Sequence, residues 1–552
     1  MNVRVIILIF FFIISTSAKS QQEVQLTKEQ KIKLDSITLR DVPKGGPGIA
    51  TGMVSNGTII YEKYAGYATI KDSIDIQSNS RFNIASNGKQ FTALAILSLI
   101  DDQKISLEDD IRIYFPSLYP KIDKKIKIKH LLNHTSGIRD VYDLWSLQGI
   151  TWWKHTFTND DVLELLHKQQ ELNFEPGSKY LYSNSNYILL AEIISKIAGT
   201  SFIDYTKTMF DDLGMLNTSF EPDYKTIKRP IANPYFNFDT WSTYNWIWNA
   251  YGDGNLFSTL EDQLRWEQIL QTKKNKRFSK ELLEQSQSLI PNTSHKEYGY
   301  GLEFGEHRDI PYKFHLGATG AWKAVTARFD HFSIVTMINS GKIDPTGQTL
   351  LMADIALNIP LDAKTTYRIT PEKTGPYLTI KDITGIYQTK NGYIFEFIER
   401  EGDLFLLRSG RNDMKLLREA DNIFQQWNDA PFKQEFIKNE KGEMQITAYY
   451  TNTEPFTLTR IDSDFTGFDF TALNGTFINP ETNVSFKIEH DTKTTYTIKS
   501  GKKKMKAILL TPTELLINDY EYRLKIHKDK KEKVQEMFLN SGRIQQVRFI
   551  KK

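Results

Sequence analysis

The sequence predicts a multidomain protein: a mixed α/β domain over residues 23–362, with an antiparallel sheet, flanking helices and a mostly helical region, followed by two small antiparallel β-barrels over 375–460 and 465–552. Three observations carry this. A chain of 552 residues exceeds what one hydrophobic core usually organises. From Glu23 to Pro360 strand-like runs alternate with apolar helices, whereas beyond Ala363 the texture changes to short alternating strands with few helices. That later region also repeats in outline: ITGIYQTKNGYIFEFIEREGDLFLL returns as LNGTFINPETNVSFKIEHDTKTTYTI, with Gly385 matching Gly475. Each copy, roughly ninety residues long, closes on a glycine turn and a strand, GEMQITAYY and GRIQQVRFI.

The first residues read as a targeting segment. MNVR carries one positive charge, VIILIFFFII is too short to span a bilayer, and Ala18-Lys19-Ser20 places small residues where a signal peptidase reads. Residues 1–20 are expected to be a signal peptide cleaved near Ser20, with an uncleaved anchor as the alternative, and the mature chain to be secreted or periplasmic. The chain has no cysteine, so core packing rather than disulfides must hold it together. A formal net charge of +3 is small for this length. The lysines at Lys502-Lys503-Lys504 and around Lys528 read as solvated hairpin tips, not as a nucleic-acid footprint. No later segment is apolar for long enough to cross a membrane.

In the first domain, GIATGMVSNGTIIYEKYAGYATI alternates as strands around Asn56-Gly57, a hairpin signal. It leads into RFNIASNGKQFTALAILSLI, where apolar residues are so dense after Lys89 that the helix must be buried on most sides. Ser86 stands at the expected helix N-terminus, and Lys89, three residues on, shares its face, so the amine can reach the hydroxyl. A serine hydroxyl is a poor nucleophile until a neighbour takes its proton, and a lysine does so only if burial or nearby charge lowers its pKa. The Ser-x-x-Lys spacing recurs only at Ser500, ahead of a lysine run with no apolar helix behind it.

Further along, His130 and His134 lie four apart, the spacing of a zinc-binding helix. Leu131 stands where zinc peptidases place a glutamate, so local packing is the expected role and no metal or cofactor is implied. Tyr182-Ser183-Asn184 falls between the turn Glu175-Pro176-Gly177 and a long apolar helix ending at Gly199. There a phenol can shuttle a proton, and an asparagine can hold a lysine amine or a substrate carbonyl. Between Pro234 and Ser258 a dense aromatic run, including Tyr235, Phe236, Phe238, Trp241, Trp246 and Trp248, either lines a pocket or covers a core, with core favoured. His315-Leu316-Gly317 opens the last strands of the domain. A strand histidine here can face the cleft, although a lone histidine is more often structural, while Gly317 can let a substrate backbone lie close and the Ala318 amide can point at an oxyanion.

These three motifs, in this order, resemble the signatures of the serine β-lactamase and penicillin-binding-protein superfamily, in its class C-like branch of esterases and D-aminopeptidases. The phrases GKQFTALAILSLI, HLLNHTSGI, EPGSKYLYSNSNYILLAEII, DDLGMLNTSF and GNLFSTLEDQLRW are similar too, over roughly Phe82 to Ser340. The resemblance implies that Ser86 is acylated, that Lys89 is its base and Tyr182 a proton shuttle, that Asn184 positions, and that the amides of Ser86 and Ala318 form an oxyanion hole. It also implies that His315 replaces the lysine of most β-lactamases. D-aminopeptidases of the superfamily likewise carry two C-terminal β-barrels, which here either shape the cleft or bind ligands of their own. The expected activity is that of an exported serine hydrolase acting through an acyl-enzyme on a peptide, D-aminoacyl amide or ester, with no cofactor. The alternatives are a catalytically silent binder of cell wall or glycan, a D-Ala-D-Ala carboxypeptidase or a weak β-lactamase. An imidazole with an ordinary pKa near ~6.5 would favour anionic substrates only as the pH falls. A cut near Ala363 is expected to leave the first domain folded.

Overall fold

The computed structural model describes residues 24–552 except 238–239, 362–376, 391, 409–411, 428, 450–454, 518–521 and 531. The expected targeting segment, Phe238 and the expected boundary around Ala363 lie outside the described residues. Among the described residues no single helix is long and apolar enough to cross a membrane.

The first domain is built on one antiparallel sheet. Its strands are β1 (Ile49–Ser55), β2 (Thr58–Ala65), β3 (Glu303–His307), β4 (Ile310–Thr319), β5 (Trp322–Arg328) and β6 (Phe332–Ile338), in the order β3-β4-β5-β6-β1-β2. The Asn-Gly signal is the β1–β2 turn: Asn56 and Gly57 sit at φ 48° and 78°, the paired left-handed residues a tight hairpin needs. Strand β1 is buried along its whole length, so alternate residues serve two cores. Met53 packs with helices α1 (Lys28–Arg40) and α6 (Pro345–Ala356) through Leu34 and Met352. Ala50 and Val54 face the larger core with helices α2 (Lys89–Asp101) and α5 (Leu260–Thr272), through Phe91, Leu264 and Trp266.

Helix α2 is buried at every residue from Lys89 to Leu97, which explains its almost unbroken apolar run. Each such leucine, isoleucine or phenylalanine contributes about 1.5–3 kcal/mol, and truncating Leu94 to alanine would cost about 2–5 kcal/mol. A buried polar knot fixes the helix against the sheet: Gln90 Oε1 accepts from Trp266 Nε1 at 2.8 Å and from Arg328 Nη2 at 2.6 Å, and Arg328 pairs with Glu267. The helical region beside α2 holds α3 (Val141–Leu147), N-capped by Asp140, and α4 (Asn184–Ala198), which ends on Gly199 at φ 66°.

Each barrel is a closed ring of eight antiparallel strands, from Gly385–Thr389 to Phe456–Arg460 and from Gly475–Ile478 to Ile544–Lys551. The internal repeat is exact in backbone terms at its marker glycines, Gly385 at φ 142° and Gly475 at φ 141°, each just after a single helical turn. Closure leaves no sheet edge exposed, which suits small domains of short strands. The barrels differ in attachment. The first has a core of its own, whereas the second shares a continuous buried cluster with the helical region. Arg139, wholly buried, donates to Glu481 Oε2 at 2.6 Å and to the Gln546 carbonyl at 2.9 Å, while Glu481 Oε1 accepts from the Gln170 amide at 2.7 Å. A boundary drawn from strand texture alone misses this interface, because its partners are single residues scattered over loops, a turn and one strand.

Candidate active site

The chain reaches Ser86 by a strained path. Phe82–Asn83 pairs with Leu256–Ser258, and Ala85 then takes φ 48°, a conformation that costs a non-glycine residue about 1–3 kcal/mol. Side-chain bonds hold it: the Ala85 amide donates to Asn83 Oδ1 at 2.9 Å, and Asn87 Nδ2 donates to the Ala324 carbonyl on β5 at 3.0 Å. Ser86 therefore sits in a 3-10 turn, Ala85–Gly88, ahead of α2 rather than capping it. From Ser80 to Leu97 every residue is buried except Ser86.

Lys89 is wholly buried, and its amine has three neighbours: Ser86 Oγ at 3.0 Å, Asn184 Oδ1 at 2.9 Å and the Asp253 carbonyl at 2.5 Å. Burial pulls its pKa down to about 8, against the opposing pull of Asp253 and Asp140. This arrangement decides where the lone pair points. A neutral amine has two hydrogens, Asn184 and Asp253 accept them, and the lone pair is left facing Ser86. Tyr182 donates to Ser86 Oγ from the other side at 2.9 Å. Burial raises its pKa well above the usual value, with the bond to Ser86 opposing, so it stays a phenol at neutral pH. Lys89 is thus the group able to take the Ser86 proton, and Tyr182 a group able to pass one on.

Four functional neighbours escape the sequence reading. Asp140 Oδ2 accepts from the Asn184 amide at 2.7 Å and from Asn184 Nδ2 at 2.9 Å, which fixes the asparagine oxygen toward Lys89. Asp253 accepts from Tyr142 at 2.8 Å. His134, expected above to serve local packing rather than metal binding, lies under the Tyr182 ring with centroids 4.3 Å apart, and its Nδ1 accepts from the Ser183 amide. Tyr298 bonds His315. Asp140 and His134 belong to the phrase HLLNHTSGIRD and Asp253 to GDGN, so those phrases were the available signal.

In the third motif, His315 is 1% exposed, its ring centroid 6.3 Å from that of Tyr182. Its Nδ1 lies 2.8 Å from the Leu316 carbonyl and must donate to it, so Nε2 accepts from the Tyr298 hydroxyl, also at 2.8 Å. Burial, aided by the Lys89 charge, pulls its pKa down to about 3, so it is neutral across the physiological range. Gly317 is required by packing: a Cβ there would lie 2.1 Å from the Ile84 carbonyl oxygen and 3.0 Å from Asn87 Nδ2. The close approach seen here is between β4 and the Ser86 turn. Ala318 is exposed, and β3 pairs with β4 only as far as Phe314, so the β3-facing edge of β4 is unpaired around it. The aromatic run divides: Tyr235 and Trp248 are buried, and Trp246 donates to Asn255 at 3.0 Å.

Residues 38–357, over half of the chain, match the sequence profile of the family described as Beta-lactamase. The Protein flp of Staphylococcus aureus (strain MRSA252) is 32% identical over 238 residues, a match covering 40% of this chain and 47% of that one. The chain thus spans about half the length of this curated relative. Two solved structures share the fold at low identity. The octameric penicillin-binding protein homologue from Pyrococcus abyssi superposes with a TM-score of 0.56 and 20% identity, over 78% of this chain and 99% of that one. The D-amino acid amidase from Ochrobactrum anthropi SV3 gives 0.50 and 21%, over 60% and 98%.

Proposed function

Given that the chain belongs to the β-lactamase family of serine hydrolases, we propose that it is an exported hydrolase acting through an acyl-enzyme on a D-aminoacyl amide, a peptide or an ester. The carrying observation is the lone pair of Lys89, aimed at the single accessible residue of a buried stretch. Ser86 Oγ attacks the substrate carbonyl carbon while its proton passes to Lys89 Nζ. The tetrahedral oxyanion lies at the exposed edge of β4, where the Ala318 amide, with that of Ser86, is the proposed donor pair. Collapse expels the amine or alcohol, which takes its proton through Tyr182. Water then adds to the acyl group, Lys89 again accepting a proton, and the acid leaves with Ser86 restored.

The substrate class rests on charge. Where relatives with a lysine carry a fixed positive charge, His315 is neutral, which supports uncharged esters and amides over substrates needing a cation at that position. The D-amino acid amidase of the same fold makes D-aminoacyl amides a sensible first panel, alongside simple esters and β-lactams. The test is intact mass after a fluorophosphonate probe. The parent should gain the probe less hydrogen fluoride at Ser86, and Ser86→Ala should gain nothing while keeping its thermal transition. Labelling of Ser86→Ala at the parent rate, or an unlabelled parent, would overturn the proposal and leave the binding-protein reading.

A further inference from the structure

We propose that Arg543, supplied by the tip of the last hairpin of the second barrel, is a positioning residue for the Lys89 amine, acting through Asp140 and Asn184. The inference rests on the hydrolase reading above, and it gives the distal barrel a part in the chemistry of the first domain.

The hairpin of Val534–Ser541 and Ile544–Lys551 turns at Gly542-Arg543 and enters the helical region beside α3. Its tip is pinned by backbone. The Arg543 amide donates to Asp143 Oδ2 at 2.8 Å, a residue 400 positions earlier, and its carbonyl accepts from Asn173 Nδ2 at 3.0 Å. A Cβ on Gly542 would lie 2.9 Å from the same Asp143 oxygen. With the backbone held, the guanidinium is aimed: Nη2 lies 2.9 Å from Asp143 Oδ1 and 3.3 Å from Asp140 Oδ1. Asp140 is wholly buried, Arg543 about a third exposed at 32%.

The remaining contacts run unbroken to the nucleophile. Asp140 accepts from Asn184, Asn184 accepts from Lys89, and Lys89 reaches Ser86. An ionised carboxylate is an acceptor only, so it forces Asn184 to present its NH2 inward to Asp140 and its oxygen to the amine. A protonated Asp140 would carry a hydrogen of its own and lose that discrimination. Burial pushes Asp140 toward protonation, and Arg543 is the leading charge that opposes it. The same guanidinium repels a proton on Lys89, whereas Asp140 attracts one. The charged and titratable groups acting on Lys89 are Asp253, Asp140, Arg543 and Glu303, with the neutral rings of His134, His315, Tyr182 and Tyr187 around it.

The two ends of this relay act on Lys89 with opposite sign, which separates positioning from mere docking. The rate of Ser86 labelling by the fluorophosphonate is followed from pH 5 to 10 in the full chain, with thermal stability measured on each variant. In Arg543→Met, with Asp140 still held as a carboxylate by the Tyr142 and Asn184 amides, the loss of positive charge should move the acid limb toward alkaline pH by about one unit, a fall of roughly tenfold at pH 7. Arg543→Lys, which keeps the charge, should recover most of the loss. Asp140→Asn removes the attraction, so its limb should move toward acid, and because an amide can donate as well as accept it no longer fixes Asn184, so its plateau rate should also fall. Glu481→Gln weakens the interface away from this relay, and should lower the transition temperature with the limb unmoved. An Arg543→Met limb at the parent position, or an equal displacement in Glu481→Gln, would overturn the inference. If Arg543→Met does not fold, an unmoved limb in Asp140→Asn overturns it instead. A parent that is not labelled at Ser86 at all would refute the hydrolase reading rather than this one.

Discussion

The division of labour between Lys89 and Tyr182 makes a quantitative prediction about Tyr182→Phe. In the parent, acylation needs neutral Lys89, and a pKa of about 8 leaves roughly one tenth of it neutral at pH 7 and one hundredth at pH 6. The logarithm of the acylation rate should therefore rise with unit slope from pH 5 and level off above about 8. Replacing Tyr182 by phenylalanine removes a 2.9 Å bond to Ser86 Oγ but leaves both acceptors that steer the Lys89 lone pair. The phenol is held protonated, so it is not the base, and the acid limb should stay where it is. What is lost is proton delivery to the leaving group. For an amide, whose nitrogen cannot depart unprotonated, the loss should be about 10²–10⁴-fold. For an aryl ester with a stable phenolate leaving group it should be much smaller. The assay is pre-steady-state acylation of a matched amide and aryl ester against pH, in parent and variant. If the acid limb vanishes or moves by more than half a unit in Tyr182→Phe, the tyrosine is the base. If amide and ester lose rate equally, it is not the shuttle.

Three further outcomes follow from the packing around the site. Gly317→Ala should slow Ser86 labelling at least about tenfold, because its methyl displaces the Ile84 carbonyl that anchors the nucleophile turn; parent-like labelling kinetics would show that the turn yields at no cost. Because His315 stays neutral down to about 3, its charge is absent throughout pH 5–8, so the relative rates on an anionic ester and its neutral twin should not change with pH through that group; a preference for the anion that grows as pH falls toward 6.5 would mean that the imidazole titrates in the cleft. Deleting the chain from Phe465 onward should lower the transition temperature of what remains and slow labelling, although every residue that contacts Ser86 is retained, since the deletion uncovers Arg139 and removes Glu481 and Arg543. A truncated chain with parent stability and parent labelling rate would restore the simpler division into independent domains.

The features legible in the sequence are those carried by short-range geometry. Ser86 and Lys89 lie within one turn, so their separation in space is set by their separation in the chain, and the density of apolar residues after Lys89 is enough to place that turn on a buried mount. The two barrels announce themselves through a repeat, and a closed ring of strands needs only local pairing and turns to be recognised. His315 and Gly317 lie at the limit of this kind of reading. Their places on β4 are predictable, but which way the strand presents them depends on what packs across it, and here the Tyr298 hydroxyl and the Ile84 carbonyl occupy the sides on which a substrate might be expected.

Beyond that limit are the charges. No spacing rule connects Arg543 to Asp140, since their separation in space is fixed by how a hairpin tip meets a helix N-terminus in another domain. Burial lowers the pKa of the Lys89 amine, Asp253 and Asp140 oppose it, and Arg543 adds to the lowering. A positive charge that offsets the carboxylates without disturbing the site must not come from a group that competes for the same acceptors. A guanidinium placed behind the first carboxylate, out of reach of Ser86, meets both conditions, whereas a second lysine beside Lys89 would not. Neither the charge nor its source can be read from Ser86, Lys89 and Asn184, since both come from the docking of the second barrel.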